Sequence, residues 1–117
     1  DSAAAYNNLA WVSQQLHREK SLSYAVKANE LSPNQPPFMD TLAMLLSEKG
    51  DYQKALELQI KALKSQPDNA GFRLNLAKIY LASGEKSKAK SELSALIKLI
   101  GDNHPVHSEA AALINTL

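Results

Sequence analysis

The sequence predicts an all-α protein, an α-solenoid of about three helix–turn–helix repeats closed by a C-terminal helix. Three observations carry this. Residues recur at a step of 34: Leu42 matches Leu76, Ala43 matches Ala77, Gly50 matches Gly84, Ala55 matches Ala89, Ala28 matches Ala62 and Pro33 matches Pro67. A fixed period of this size marks an array of supersecondary units that bury their apolar faces on one another. Apolar residues recur at helical spacing, and no stretch alternates with period two as a strand would. Most of the few Gly and Pro stand where helices should start or stop.

Ala3 to Leu16 reads as a first helix with Leu9, Val12 and Leu16 as its buried stripe and Tyr6 beside it. His17 to Lys20 is a polar turn. Ser21 to Leu31 is a second helix with Leu22, Ala25, Ala28 and Leu31 as its stripe, and Pro33 stands just past its end. Asn34 or Gln35 can close the connector, and Pro36 and Pro37 suit a first helical turn. The third helix runs to about Lys49 over Phe38, Leu42, Leu45 and Leu46. Gly50 can take positive φ to end it, and Asp51 can cap the next helix. Tyr52 to Ser65 is the fourth helix, with Tyr52, Ala55, Leu56, Ile60, Ala62 and Leu63 inward. Asp68 and Asn69 cap a fifth helix to about Ser83, with Phe72, Leu76, Ile79 and Tyr80 inward. Gly84 stops it. Lys86 to Ile100 is the sixth, with Ala89, Leu93, Leu96, Ile97 and Ile100 inward. Gly101 to His104 forms a break, and Pro105 opens a last helix through Ala110, Leu113, Ile114 and Leu117.

Small and large residues alternate for a packing reason. The closest helix crossings need small side chains, so Ala stands at 43, 55, 62, 77 and 89. Enlarging one should overpack and cost about 1–3 kcal/mol. Leu42 and Leu76 are the large counterparts, each contributing about 1.5–3 kcal/mol when buried. The expected units are residues 3–34, 36–69 and 70–103, with a cap at 105–117, in one domain.

Composition bounds the function. Thirteen Lys and Arg against twelve Asp and Glu leave a formal charge of +1, which argues against nucleic acid as a partner. The absence of Cys removes thiol catalysis and thiolate metal sites. No apolar run approaches the roughly 18–20 residues that span a bilayer. His104 and His107 stand three apart, a metal-compatible spacing, but no third ligand is in view and a solvated pair is the reading. Lys86, Lys88, Lys90 and Lys98 are interleaved with Glu85 and Glu92, as on a solvated outer face. No nucleophile elbow or glycine-rich phosphate loop is present, so the expectation is a non-enzyme with no cofactor and no metal. The chain opens at Asp1, and the expectation is a piece of a longer protein. Its compartment stays open.

The period, the length and the residues Leu42, Ala43, Leu46, Gly50, Asp51, Tyr52, Ala55, Ala62 and Pro67 resemble the tetratricopeptide repeat. The third unit keeps Leu76, Ala77, Tyr80, Gly84 and Ala89, with Gly101 where the terminal Pro would be. The first keeps Asn8, Leu9, Ala10, Ala28 and Pro33 but steps by 33 from Leu9 to Leu42, so its inner turn is one residue short and lacks the Gly-Asp pair. The resemblance implies a concave surface, lined by the first helix of each unit, that holds an extended or helical peptide. The inward places it implies are Asn7, Trp11 and Gln14, then Asp40, Met44 and Ser47, then Leu74, Lys78 and Leu81. Trp11 is the hot-spot candidate, the other reading being that it packs on a neighbouring unit. Met44 more often fills a gap than grips a ligand. The Lys and Asn carboxylate clamp of chaperone-binding members is not expected, because Asn7 and Trp11 stand in its places and Lys78 alone does not restore it.

A finer resemblance rests on NNLAW (7–11), ANELSP (28–33) and DTLA (40–43). These are similar to the C-terminal repeats of lipoproteins tied to the PEP-CTERM/exosortase sorting system of Gram-negative bacteria. That implies a periplasmic or outer-membrane-anchored parent; without it the reading is cytoplasmic. The function implied is a scaffold that binds a protein or peptide in the groove. The alternative is a structural end segment of a longer superhelix whose ligand lies elsewhere. An apolar edge on the first helix, uncovered if preceding repeats are absent, implies self-association of this fragment.

Overall fold

The computed structural model describes residues 2–13 and 18–117. They form seven helices and no strand: α1 (Ser2–Ser13), α2 (Arg18–Leu31), α3 (Pro36–Lys49), α4 (Tyr52–Ser65), α5 (Ala70–Ala82), α6 (Lys86–Leu99) and α7 (His107–Asn115). The expected end of the first helix near Leu16 and its turn at His17 fall on or beside residues outside those described. The second helix begins at Arg18, earlier than Ser21. The last begins at His107, not Pro105, because the Val106 N–H donates to His104 Nδ1 and the His107 N–H to the His104 carbonyl. The His107-to-His104 bond spans three residues, not the four of an α-helix, and the first four-residue bond runs from the Ala110 N–H to the Val106 carbonyl.

The caps explain the regular spacing. Gly50 adopts φ +93° and Gly84 φ +84°. At the first, the Gly50 N–H donates to Ser47 C=O at 3.0 Å and the Asp51 N–H to Leu46 C=O at 2.9 Å. At the second, the Gly84 N–H donates to Leu81 C=O at 3.1 Å and the Glu85 N–H to Tyr80 C=O at 2.9 Å. This paired bonding satisfies carbonyls that a helix end leaves open. The α2–α3 connector uses Asn34 at φ 63°, a residue that tolerates the left-handed region. Asn69 caps α5 through its side chain, which accepts from the Phe72 N–H at 3.0 Å. Asp51 stands at the N-cap of α4, but its side chain makes no capping bond there.

The helices pack as pairs, α1 with α2, α3 with α4 and α5 with α6, and each pair leans on the next through α2–α3, α4–α5 and α6–α7. α3 also touches both α1 and α5. The row α1, α3, α5 is therefore the tight inner row, and α2, α4, α6 form the outer row. Small residues fill the close crossings as expected: Ala43, Ala55, Ala62, Ala77 and Ala89 are fully buried. Ala43 and Ala55 pack with Ile79 from the following pair. Leu42 and Leu45 pack with Ala10 and Ala25 of the preceding one. Leu93, Leu96 and Ala110 join α6 and α7 to Ala70, Leu74 and Ala77. In the first pair, Tyr6 and Tyr24 meet at 6.1 Å between ring centroids.

Several expected core positions lie elsewhere. Leu9 is 45% exposed and Val12 62%, although the equivalent Leu42, Leu45, Leu76 and Ile79 are buried. Those four bury against or beside a preceding pair of helices, and α1 has none among the described residues. Leu31 is exposed at the last turn of α2, where Ser21, Ala25 and Ala28 carry the burial instead. On α4, Ile60 is partly exposed on the outer side and Gln59 occupies the inner position, wholly buried.

Candidate ligand-binding surface

The places that the repeat pattern singles out stand on the inner-row helices α1, α3 and α5, and their side chains differ in exposure. Trp11 is 69% exposed, so it does not pack on a neighbouring unit within this chain. Asn7 is half-buried, and its Oδ1 has no hydrogen-bond partner among the described residues. Gln14 lies outside the described residues. On α3, Met44 is half-buried and packs with Ala43, Ala55 and Ile79, while Ser47 is buried. On α5, Leu81 is half-buried. Lys78 reaches across to Glu109 of α7, Nζ to Oε2 at 2.6 Å. Leu74 is 4% exposed and packs with Leu96 and Ala110, so it is core and not a groove wall. The cause is α7, which stacks on the α5–α6 pair and takes the inner-row position there.

The centre of the row is polar. Asp40 Oδ1 accepts from Gln59 Nε2 at 2.7 Å and from Asn75 Nδ2 at 3.0 Å. The same Gln59 Nε2 donates to the Phe72 carbonyl at 2.9 Å, so three helices, α3, α4 and α5, meet at one side chain. Two acceptors around Nε2 also determine which way the amide faces. Burial pushes the pKa of Asp40 up, and the bonds from Asn75 and Gln59 offset part of that. A related tie joins the first two pairs: Asn29 Nδ2 donates to the Phe38 carbonyl at 3.0 Å and to the Ala25 carbonyl at 2.9 Å. Phe38 and Phe72 lie one period apart, so the same acceptor position serves both junctions.

His104 and His107 are engaged locally. His104 Nδ1 accepts from its own turn, and His107 Nε2 lies 3.4 Å from Asp102 Oδ1. Among the described residues no group of three or more His, Asp or Glu could hold a metal. No described helix is long and apolar enough to cross a membrane.

The outer row carries shallow clefts of its own. One where α2, α3 and α4 meet is lined by Val26, Leu42, Leu46, Leu58, Lys54, Glu57 and Lys61. None of the inward places contributes to it.

The paired inner and outer helices, the left-handed glycines and the buried alanines recur at one period, and a tetratricopeptide repeat model matches residues 46–114, more than half of the chain. The chain belongs to the tetratricopeptide repeat (TPR) family. No curated protein matches it by sequence. Among solved structures it is similar to the type III secretion translocator chaperone SycD of Yersinia enterocolitica, with a TM-score of 0.83 at 18% identity, over 98% of this chain and 89% of that one. It is similar to a mutant O-GlcNAc transferase of Thermobaculum terrenum, with a TM-score of 0.80 at 23% identity, over 95% of this chain. It is also similar to yeast Tom70, with a TM-score of 0.71 at 23% identity, over 97% of this chain. The chain spans only 22% of the transferase and 23% of Tom70. At these identities the likeness is one of fold.

Sequence reasoning missed Gln59 and Asn75 in this TPR surface. Gln59 interrupts an apolar stripe one residue from Ile60, which is the signal available in the sequence. Asn75 follows Leu74 and carried none.

Proposed function

We propose that this TPR segment is a non-catalytic scaffold that holds a protein or peptide segment along α1, α3 and α5. The observation that supports it best is the inner row itself, with Trp11 exposed at one end and a half-buried carboxylate at its centre. Large exposed aromatics beside polar anchors are the residues that dominate peptide interfaces. Titration with a panel of extended and helical peptides should quench or shift Trp11 fluorescence and move amide resonances on α1, α3 and α5. Silence across a broad panel overturns the reading.

One observation favours a second reading, a structural end segment of a longer superhelix. α7 covers Leu74 and engages Lys78, which shortens the open surface. Binding by the parent protein that survives both Trp11→Ala and Lys78→Ala would favour it. The uncovered Leu9 and Val12 support self-association of the fragment through α1. A clean monomer in sedimentation at high concentration removes that idea. The strings at 7–11, 28–33 and 40–43 support a place in a Gram-negative envelope sorting or exopolysaccharide system. Sorting-enzyme and polysaccharide genes beside the parent reading frame are expected, and a neighbourhood without them removes this finer reading.

A further inference from the structure

The Asp40 cluster holds more acceptors than its donors answer. Gln59 spends its amide N–H groups on Asp40 Oδ1 and the Phe72 carbonyl. Asn75 donates to the same Oδ1. Asp40 Oδ2 receives no hydrogen bond among the described residues, and it is not one of the buried atoms left without a partner, so it reaches solvent. Gln59 Oε1, on a side chain with no exposure at all, also has no partner among the described residues. The charge is unanswered as well. Asp40 forms no ion pair among the described residues, and Lys78, the charged side chain at the neighbouring inward place on α5, is taken by Glu109 at 2.6 Å. A partly desolvated carboxylate without a cation is costly in the free protein. A ligand that brings a cation recovers that cost on binding.

The environment is specific to this junction. The equivalent place in the first unit is Asn7, which is uncharged, and in the third it is Leu74, which α7 buries. Among the described residues, an Asp and two amides converge only here, from α3, α4 and α5. Both amides bond Oδ1, which leaves Oδ2 for an incoming donor.

We propose that Asp40, positioned by Gln59 and Asn75, is a cation anchor on the inner row that takes the ammonium or guanidinium of a Lys or Arg from the bound peptide. This rests on the peptide-binding reading above and adds the chemistry of the partner. The polarity is opposite to a site that captures a carboxylate with Lys and Asn. A Lys ammonium carries three donors and an Arg guanidinium five, which suits a site short of donors. Charge-assisted bonds of this kind are stronger than neutral ones.

The test uses three heptapeptides, blocked at both termini and identical except for a central Lys, Gln or Glu between two leucines. Binding is followed by amide shifts on labelled protein and by Trp11 fluorescence. The Lys peptide should bind best, with the Asn75 and Gln59 side-chain amides among the shifted resonances. Asp40→Asn keeps an acceptor oxygen for both amides, so the fold should survive, as thermal unfolding would verify. It should weaken the Lys peptide by about tenfold or more and leave the Gln peptide unchanged. Salt should weaken Lys-peptide binding to the parent chain and hardly affect the variant. Equal binding of all three peptides, or Lys binding indifferent to Asp40→Asn, overturns the anchor while leaving the groove standing. Failure of all three peptides overturns the anchor, and silence across the broad panel overturns the groove with it. If the variant unfolds, loss of the Lys preference in the parent chain at pH values low enough to protonate Asp40 supports the anchor, and retention of it overturns the anchor.

Discussion

Gly50→Ala separates backbone strain from every other term. At φ +93° an alanine Cβ would meet nothing within 4 Å, so crowding by neighbours contributes no cost. What remains is the intrinsic penalty of the left-handed region for a residue with a Cβ, about 1–2 kcal/mol. Alanine also narrows the unfolded ensemble, which returns about 0.4–1 kcal/mol. The net loss should be on the order of 1 kcal/mol, or a fall in Tm of roughly 5 °C. Gly101→Ala supplies the control. Its backbone is outside the left-handed region and its added Cβ also meets open space. It should gain the unfolded-state term alone, about 0.4–1 kcal/mol. The difference between the two variants cancels that term and reads the strain directly, at about 1–2 kcal/mol. Urea unfolding monitored by circular dichroism measures both. Gly50→Asn should fall between them, since Asn34 already occupies φ 63° in this chain. If Gly50→Ala and Gly101→Ala shift stability equally, the reasoning from φ is refuted.

The packing and the charges set further expectations. Ala55→Leu should cost about 1–3 kcal/mol by overpacking against Ala43 and Ile79, whereas Ala95→Leu on an exposed face should stay within about 0.5 kcal/mol. Leu76→Ala should cost about 2–5 kcal/mol and Leu9→Ala under about 1 kcal/mol, despite equivalent places in the repeat, and denaturant midpoints will compare them. Asp40 has a raised pKa, so the folded chain holds its proton more tightly than the unfolded chain does. That contribution to stability is full below the unfolded value of about 3.9 and is lost as pH rises through the folded pKa. Asp40→Asn should remove that slope and leave the chain at least as stable at neutral pH. Glu109→Gln should cost no more than about 1 kcal/mol, with the loss shrinking in salt, because the Lys78–Glu109 pair is partly exposed.

Much of the fold was legible in residues that act locally. Gly50, Gly84 and Asn69 end or start helices through bonds to residues only a few places away, and a local rule is enough to place them. The alanines were legible too, since a period of 34 repeats the same crossing and a small side chain is its only solution. Trp11 was legible as a candidate but its exposure was not.

The features that escaped depend on groups far along the chain. Asp40 meets Asn75 across 35 residues, and neither composition nor helical period reports that meeting. Leu9 and Leu76 share a place in the repeat, yet only Leu76 has a preceding helix pair to bury against among the described residues. Leu74 looks inward by its number and is core because α7 lies over it. Gln59 rather than Ile60 turned inward because α3 and α5 offer it acceptors at 2.7 and 2.9 Å. The sequence alone therefore determined the rods, their ends and their order of stacking, since these obey short-range sterics and a repeated pattern. Only the tertiary structure decided which faces stay open and where charge collects, because both depend on what the neighbouring rod brings.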